Sequence, residues 1–352
     1  MLLKYARRVV SLLLRRPKGW QSLLYNNAMA KARLVGPLMP PVHITIEPTN
    51  VCNLLCPICE TGKGVMTRPK GFLDFNSYCQ FIDQVAPTTA VLMFYFMGEP
   101  FLNKHAYEMI RYARQHGIYV ETCTNGDFVD AKGVIYSDVN EISFQLGGMT
   151  QQTHEIYRVR SRLDRVIANA QMLVDERRRN PQSNVRISVG FIVMRHNEHE
   201  VSEFLRWAKE IGADCANLIA PCVRTLEEGR QFLPTDRHYW LYDEVAFAQG
   251  ALKPKRSPHN ECPWIWNSVV VNWNGAVVPC CRDPNGQYVM GNVFETPLPE
   301  IWNGKAMRDF RRRIIGEQGK VDICRLCSGF GVPQLIHDRP AGFEVRRLSI
   351  NE

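Results

Sequence analysis

The chain has 352 residues, 45% of them hydrophobic and 22% charged, enough apolar material for a large domain with a smaller companion and too much for disorder or a fibre. The formal net charge of +8 sits in one arm, because Lys4, Arg7, Arg8, Arg15, Arg16, Lys18, Lys31 and Arg33 all precede the first acidic residue, Glu47. The balanced body gives no electrostatic warrant for nucleic-acid binding, and no apolar run reaches the roughly 18 residues of a membrane-spanning helix.

Residues 2–16, LLKYARRVVSLLLRR, place apolar groups at 2, 5, 9, 12 and 13 and basic ones at 4, 7, 8, 15 and 16, a basic amphipathic helix that Pro17 and Gly19 are expected to end. Such an arm (1–41) either packs on the body or lies on an anionic membrane surface through residues 1–35; an organelle transit peptide is a third reading.

From residue 42 short apolar runs alternate with amphipathic helices, the pattern of βα units around a parallel sheet. Strands are predicted at 43–47, 90–97, 118–124, 139–146, 185–194 and 214–220, and helices near 76–85, 104–116, 150–158, 162–179 and 198–211. The expected fold class is therefore α/β, a partial (β/α)6 TIM-like barrel over 42–222, two units short of a full one. A Pro-punctuated linker (223–260), a small cysteine-rich hairpin-and-helix domain (261–335) and a tail (336–352) follow.

Twelve cysteines could suggest a secreted disulfide framework, but there is no A-x-A cleavage site and no uninterrupted signal-peptide core. The grouped cysteines read as metal ligands in a reducing compartment, hence a cytoplasmic protein, peripheral at the membrane if the arm binds lipid. ITIEPTNVCNLLCPIC puts Cys52, Cys56 and Cys59 at C-x3-C-x2-C on the loop after the first strand, the end of a βα barrel where chemistry is done. Three thiolates hold three irons of a four-iron cube and leave the fourth open to an outside ligand. A zinc site completed by Cys79 or His105 is the alternative.

The second group is Cys262, twelve residues to Gly275, four more to Cys280, then Cys324 and Cys327 in C-x2-C. VVVNWNGAVVPC reads as a hairpin that presents Cys280, with the adjacent Cys281 a possible substitute. Four such ligands close a site and supply folding energy, and spacing leaves zinc and an iron–sulfur cluster both open.

The triplet, its place and the six βα units resemble the radical S-adenosylmethionine superfamily over about residues 42–222. The resemblance implies a [4Fe-4S] cluster whose open iron chelates S-adenosylmethionine, reductive cleavage to a 5′-deoxyadenosyl radical, and a reducing partner such as flavodoxin or ferredoxin. It also implies cofactor-binding residues. Met97, Gly98, Glu99 and Pro100 resemble the family's G-G-E-P turn, with Met97 departing from the usual glycine. Thr124, Asn125 and Gly126 match its T-N-G, Gln145 stands where relatives contact the ribose, and Arg158 resembles an arginine that forks onto the cofactor carboxylate. Gln145 as a plain strand cap and Arg158 as a solvated helix residue are the structural alternatives.

The second group resembles the SPASM and shortened "twitch" extensions that bind auxiliary [4Fe-4S] clusters. Position 333 is Pro and no cysteine follows Cys327, so the shorter, one-cluster form is expected. Taken together these imply an oxidoreductase that removes a hydrogen atom and passes the remaining electron to the auxiliary cluster, on a small-molecule, sugar or lipid-linked substrate. Epimerisation, with Cys222 at the barrel mouth as hydrogen donor, and peptide maturation are alternatives. The 41 residues before the core fall short of the roughly 80 that a leader-peptide recognition domain needs. An iron–sulfur electron carrier or scaffold would ligate both clusters fully, and the triplet offers three cysteines only.

Overall fold

Strand β1 (His43–Ile46) is buried at all four positions, the signature of a strand covered on both faces, and it lies inside a parallel sheet. In this computed structural model, residues 17–329, 331 and 342–348 are described. The sheet grows outward from β1 through β2 (Val91–Met93), β3 (Tyr119–Thr124), β4 (Glu141–Leu146), β5 (Arg186–Ile192) and β6 (Cys215–Ile219), all parallel and in chain order. These are the six predicted strands, and the α/β class is as read. β2 is shorter than expected because the chain leaves the ladder after Phe94, whose N–H still bonds to the Glu121 carbonyl, and turns into the barrel opening.

The connecting helices cover the outside: α2 (Phe75–Val85), α3 (Ala106–Gln115), α4 (Ala131–Ser137), α5 (Gln151–Tyr157), α6 (Leu163–Arg179) and α7 (Val201–Ile211). Their apolar stripes, such as Met109, Ile110 and Ala113 of α3 or Val166, Ala170, Leu173 and Val174 of α6, join the strand side chains in one core. α4 is too short to show a period in sequence; its start is fixed by Asp130, whose carboxylate accepts the N–H groups of Lys132 and Gly133.

Both edges of the six-stranded sheet are extended by later parts of the chain. β7 (Ser268–Val271) pairs parallel with β1, from His43 opposite Ser268 to Ile46 opposite Val271. It then folds back as a hairpin on β8 (Ala276–Val278), followed by the two-residue β9 (Gly291–Asn292). At the other edge β10 (Glu344–Leu348), within the stretch read as a tail, pairs parallel with β6. The parallel sheet thus has eight strands where the sequence indicated six, because these two partners lie far away along the chain.

Helix α1 (Pro17–Lys31) begins at the proline expected to end a helix, since proline at a first helical position gives up only an N–H that has no partner anyway. Leu23 packs on Val42 and Val91, at the N-terminal ends of β1 and β2. The Trp266 indole donates to the Leu34 carbonyl at 2.8 Å and the Trp302 indole to that of Met39 at 2.8 Å, so residues 17–39 are fastened to the body. The amphipathic stretch 2–16 lies outside the described residues. No helix among the described residues is long and apolar enough to cross a membrane.

Candidate active site

The loop after β1 carries Cys52, Cys56 and Cys59 to the C-terminal end of the sheet, where they line a cavity of about 580 Å³. Burial pushes the Cys52 thiol up to about 12 and raises Cys56 as well, so their thiolates need a strong cation to persist. Neighbouring loops hold the cysteine loop in place. The Asn125 amide donates to Asn53 Oδ1 at 2.8 Å, and Asn53 donates in turn to Asp127 Oδ2 at 2.7 Å.

Met97, Gly98 and Glu99 line the same cavity, while Pro100 starts the short turn behind it. Gly98 has φ +84°, and a Cβ there would lie 2.5 Å from the Thr49 carbonyl oxygen, so only glycine fits. The Glu99 carboxylate turns inward and accepts from Thr124 Oγ1 and the Asn125 N–H, both at 2.8 Å, tying this turn to the end of β3. Burial nonetheless pushes it up to about 7.

Gln145 and Arg158 are both cavity residues rather than surface ones. Gln145 donates to Ser143 Oγ at 2.8 Å and occupies the space left by Gly190 opposite it on β5. Arg158 points Nη1 at Cys56 Sγ, 3.9 Å away, and its buried Nε has no hydrogen-bond partner. An orphaned guanidinium N–H beside the Cys56 thiol fits an anionic cluster with a carboxylate-bearing ligand.

The second cysteine group assembles from the β7–β8 hairpin and the turns on either side of it. Cys262 precedes the short turn Pro263–Trp266, Cys280 and Cys281 follow β8, and Cys324 ends the turn Asp322–Cys324. Cys280 is in electrostatic reach of Cys262 and Cys324, and Cys281 of Cys327 and Cys222, so both members of the adjacent pair face the group. Burial pushes Cys262 and Cys281 up to about 11 and Cys324 to about 12. Among the described residues no three His, Cys, Asp or Glu side chains converge at single-ion spacing.

Cys222 does not line the cavity. Arg282 Nη1 donates to its sulfur at 3.1 Å and the Tyr242 hydroxyl points at it from 4.0 Å, which turns it toward the second cysteine group. The cavity instead holds residues that the sequence reading passed over: Tyr95, Glu121, Cys123, Glu141 and, from β10, Arg346. A signal for some of them was present, because Glu141, Ser143 and Gln145 put a polar group at every second position of an otherwise apolar strand.

A βα barrel with three thiols on its first loop, and a hairpin leading into further thiols, is the arrangement that the sequence resemblance implied; here the hairpin is paired to the first strand. The Radical SAM superfamily model matches residues 46–208, and the iron–sulfur cluster-binding SPASM domain model matches 262–328. The chain belongs to the radical SAM superfamily and carries a SPASM-type domain.

It is 24% identical over 328 residues to the AdoMet-dependent heme synthase of Methanosarcina barkeri, covering 82% of this chain and 90% of that one. It is 23% identical over 313 residues to the PqqA peptide cyclase of Gluconobacter oxydans, covering 82% and 83%. In fold it is similar to Streptococcus suis SuiB bound to S-adenosylmethionine, with a TM-score of 0.60 at 14% identity over 93% of this chain and 77% of that one. Membership implies S-adenosylmethionine and a [4Fe-4S] cluster in the barrel and auxiliary iron–sulfur binding in the C-terminal domain.

Proposed function

We propose that this protein carries out a two-electron oxidation of a small-molecule substrate held in the barrel cavity. Cys52, Cys56 and Cys59 hold the first cluster, and Cys262, Cys280, Cys324 and Cys327 hold a single auxiliary one. Gly98, Asn125, Gln145 and Arg158 bind S-adenosylmethionine. When bound, these groups supply a 5′-deoxyadenosyl radical that takes one hydrogen atom and an acceptor for the electron left behind. The substrate also releases a proton, and a reduced flavodoxin or ferredoxin supplies the electron that starts the cycle.

The observation that carries this reading is the direct pairing of β7 with β1. β1 leads into the first cysteine loop and the β7–β8 hairpin leads into Cys280, so one stretch of sheet joins both thiol groups. Tyr95, a cavity residue, lies in electrostatic reach of Cys281 as well as of Glu121 and Glu141. A substrate in that cavity sits between the two groups. The volume of about 580 Å³ falls within the common range of small-molecule pockets, about 300–1,000 Å³.

Cys123 supports a second, redox-neutral reading. It lines the cavity, and burial pushes it up to about 12, so its thiol keeps the hydrogen atom that an epimerase must return. The PqqA peptide cyclase likeness adds peptides to the substrates to try.

Iron and sulfide content after anaerobic reconstitution tests the assignment, on wild type and a Cys52/Cys56/Cys59 triple alanine variant. About eight irons in wild type, about four in the variant, and 5′-deoxyadenosine from wild type alone are expected. Four irons plus one zinc in wild type would remove the electron acceptor and favour the Cys123 reading.

A further inference from the structure

Below the cofactor-binding turns the cavity continues between the strands to an end lined by Tyr95, Glu121, Glu141, Ser188, Asn217 and Arg346. Glu121 and Glu141 are direct partners in the β3–β4 register, so two carboxylates stand on adjacent strands facing the same space. Glu141 is only 9% exposed, and neither its carboxylate nor that of Glu121 makes a hydrogen bond or ion pair with a described residue. Like charges directly across a strand pair destabilise a sheet, and a buried carboxylate without a partner costs more.

The nearest cations offset the charge only in part. Arg346 donates to Glu344 at 2.8 Å, and Arg186 pairs with that same Glu344 carboxylate. Two guanidinium groups therefore converge on the Glu344 carboxylate, and although Arg346 also attracts Glu121 and Glu141 through space, three carboxylates face two cations and one negative charge is left over. Burial and the neighbouring Glu141 push Glu121 up to about 7. No third His, Cys, Asp or Glu among the described residues completes a metal site there. The Ser188 hydroxyl and the Asn217 amide add groups that suit hydroxyl partners.

We propose that this end of the cavity is a substrate subsite for a protonated amine, which the Glu121 and Glu141 carboxylates bind together, on a small hydroxylated molecule. A local arrangement that breaks a packing rule and faces a cavity is where a ligand group is expected to complete the structure. The inference deepens the proposed oxidation and rests on the substrate occupying this cavity. The chain's own β10 forms part of the subsite wall through Arg346.

The test uses the full chain with clusters and S-adenosylmethionine bound, and two probes of one size: serinol (2-amino-1,3-propanediol) and glycerol, which has a hydroxyl in place of the ammonium. Saturation-transfer NMR titration at neutral pH is expected to show serinol binding about tenfold or more tighter than glycerol. Glu141→Gln and Glu121→Gln should each erase that preference while leaving glycerol binding as it was. Equal binding of the two probes to wild type, or a preference that survives both variants, overturns the proposal. If one variant loses its iron, the other variant and the wild-type probe pair still decide. Wild type that discriminates the probes and yet makes no 5′-deoxyadenosine would overturn the radical reading instead.

Discussion

Arg68 forks onto Glu47, with Nη1 donating to Oε2 at 2.8 Å and Nη2 to Oε1 at 2.7 Å. Glu47 follows β1 and is fully buried; Arg68 lies beyond the cysteine loop and also donates Nε to the Pro284 carbonyl at 2.6 Å. The same carboxylate accepts the Trp273 N–H at 3.2 Å. One ion pair thus fixes both ends of the cysteine loop and the hairpin region against each other.

Arg68→Met should therefore cost about 3–5 kcal/mol, because it leaves a buried carboxylate uncompensated. Chemical denaturation of wild type, the single variant and Glu47→Leu/Arg68→Met measures it. The double variant should recover part of the loss, and a single variant as stable as wild type would show that the pair holds nothing.

Gly190 makes room for Gln145: a Cβ at 190 would lie 2.5 Å from both Gln145 Nε2 and Oε1. Gly190→Ala is expected to push the glutamine off its Ser143 contact and weaken S-adenosylmethionine binding about tenfold, the cost of one misplaced hydrogen-bonding group. Equilibrium dialysis of Gly190→Ala, Gln145→Ala and the pair checks this. The double variant should be no worse than the worse single; losses that add would mean that Gly190 acts elsewhere.

His154 is fully buried, accepts the Gly147 N–H at Nδ1, and is held by burial and by the nearby Arg158 charge at about 4, below its ordinary value near 6.5. The unfolded chain takes up a proton near pH 6.5 that the folded chain refuses until about pH 4. Its contribution is complete above the unfolded value and is lost as pH falls through that window, by up to about 3 kcal/mol. His154→Asn keeps an acceptor for Gly147 and removes the titration. Urea midpoints at pH 7 and pH 4.5 should therefore fall further for wild type than for the variant, and parallel falls would acquit His154.

What was legible in the sequence was local. Cys52, Cys56 and Cys59 announce themselves by spacing on one loop, and the hairpin before Cys280 by its Asn274–Gly275 turn, where Gly275 has φ +82°. The pairing of β7 with β1 was not legible, since four buried residues, SVVV, say that a strand exists and nothing of a partner more than 220 residues earlier. Cys222 could be placed just beyond β6, but which way its sulfur points depends on Arg282 and Tyr242 from other elements. Arg346 reaches the cavity only because β10 adds to β6, a pairing that a five-residue EVRRL segment does not declare.

Glu121 gives a titration whose sign separates its neighbours. Burial first, and Glu141 second, raise it to about 7, while Arg346 lowers it. The folded chain keeps a proton that the unfolded chain has lost near pH 4.5, so the contribution is complete below that value and is lost as pH rises through about 7. Arg346→Gln removes the attraction and should move the carboxyl midpoint upward; Glu141→Gln removes the repulsion and should move it downward, each by about one pH unit. Infrared difference spectra of protein carrying 13C-labelled glutamate, recorded from pH 5 to 9, report the midpoint directly. Shifts of the same sign in both variants would mean that burial alone sets it, and that neither neighbour is electrostatically coupled to the carboxylate at the end of the cavity.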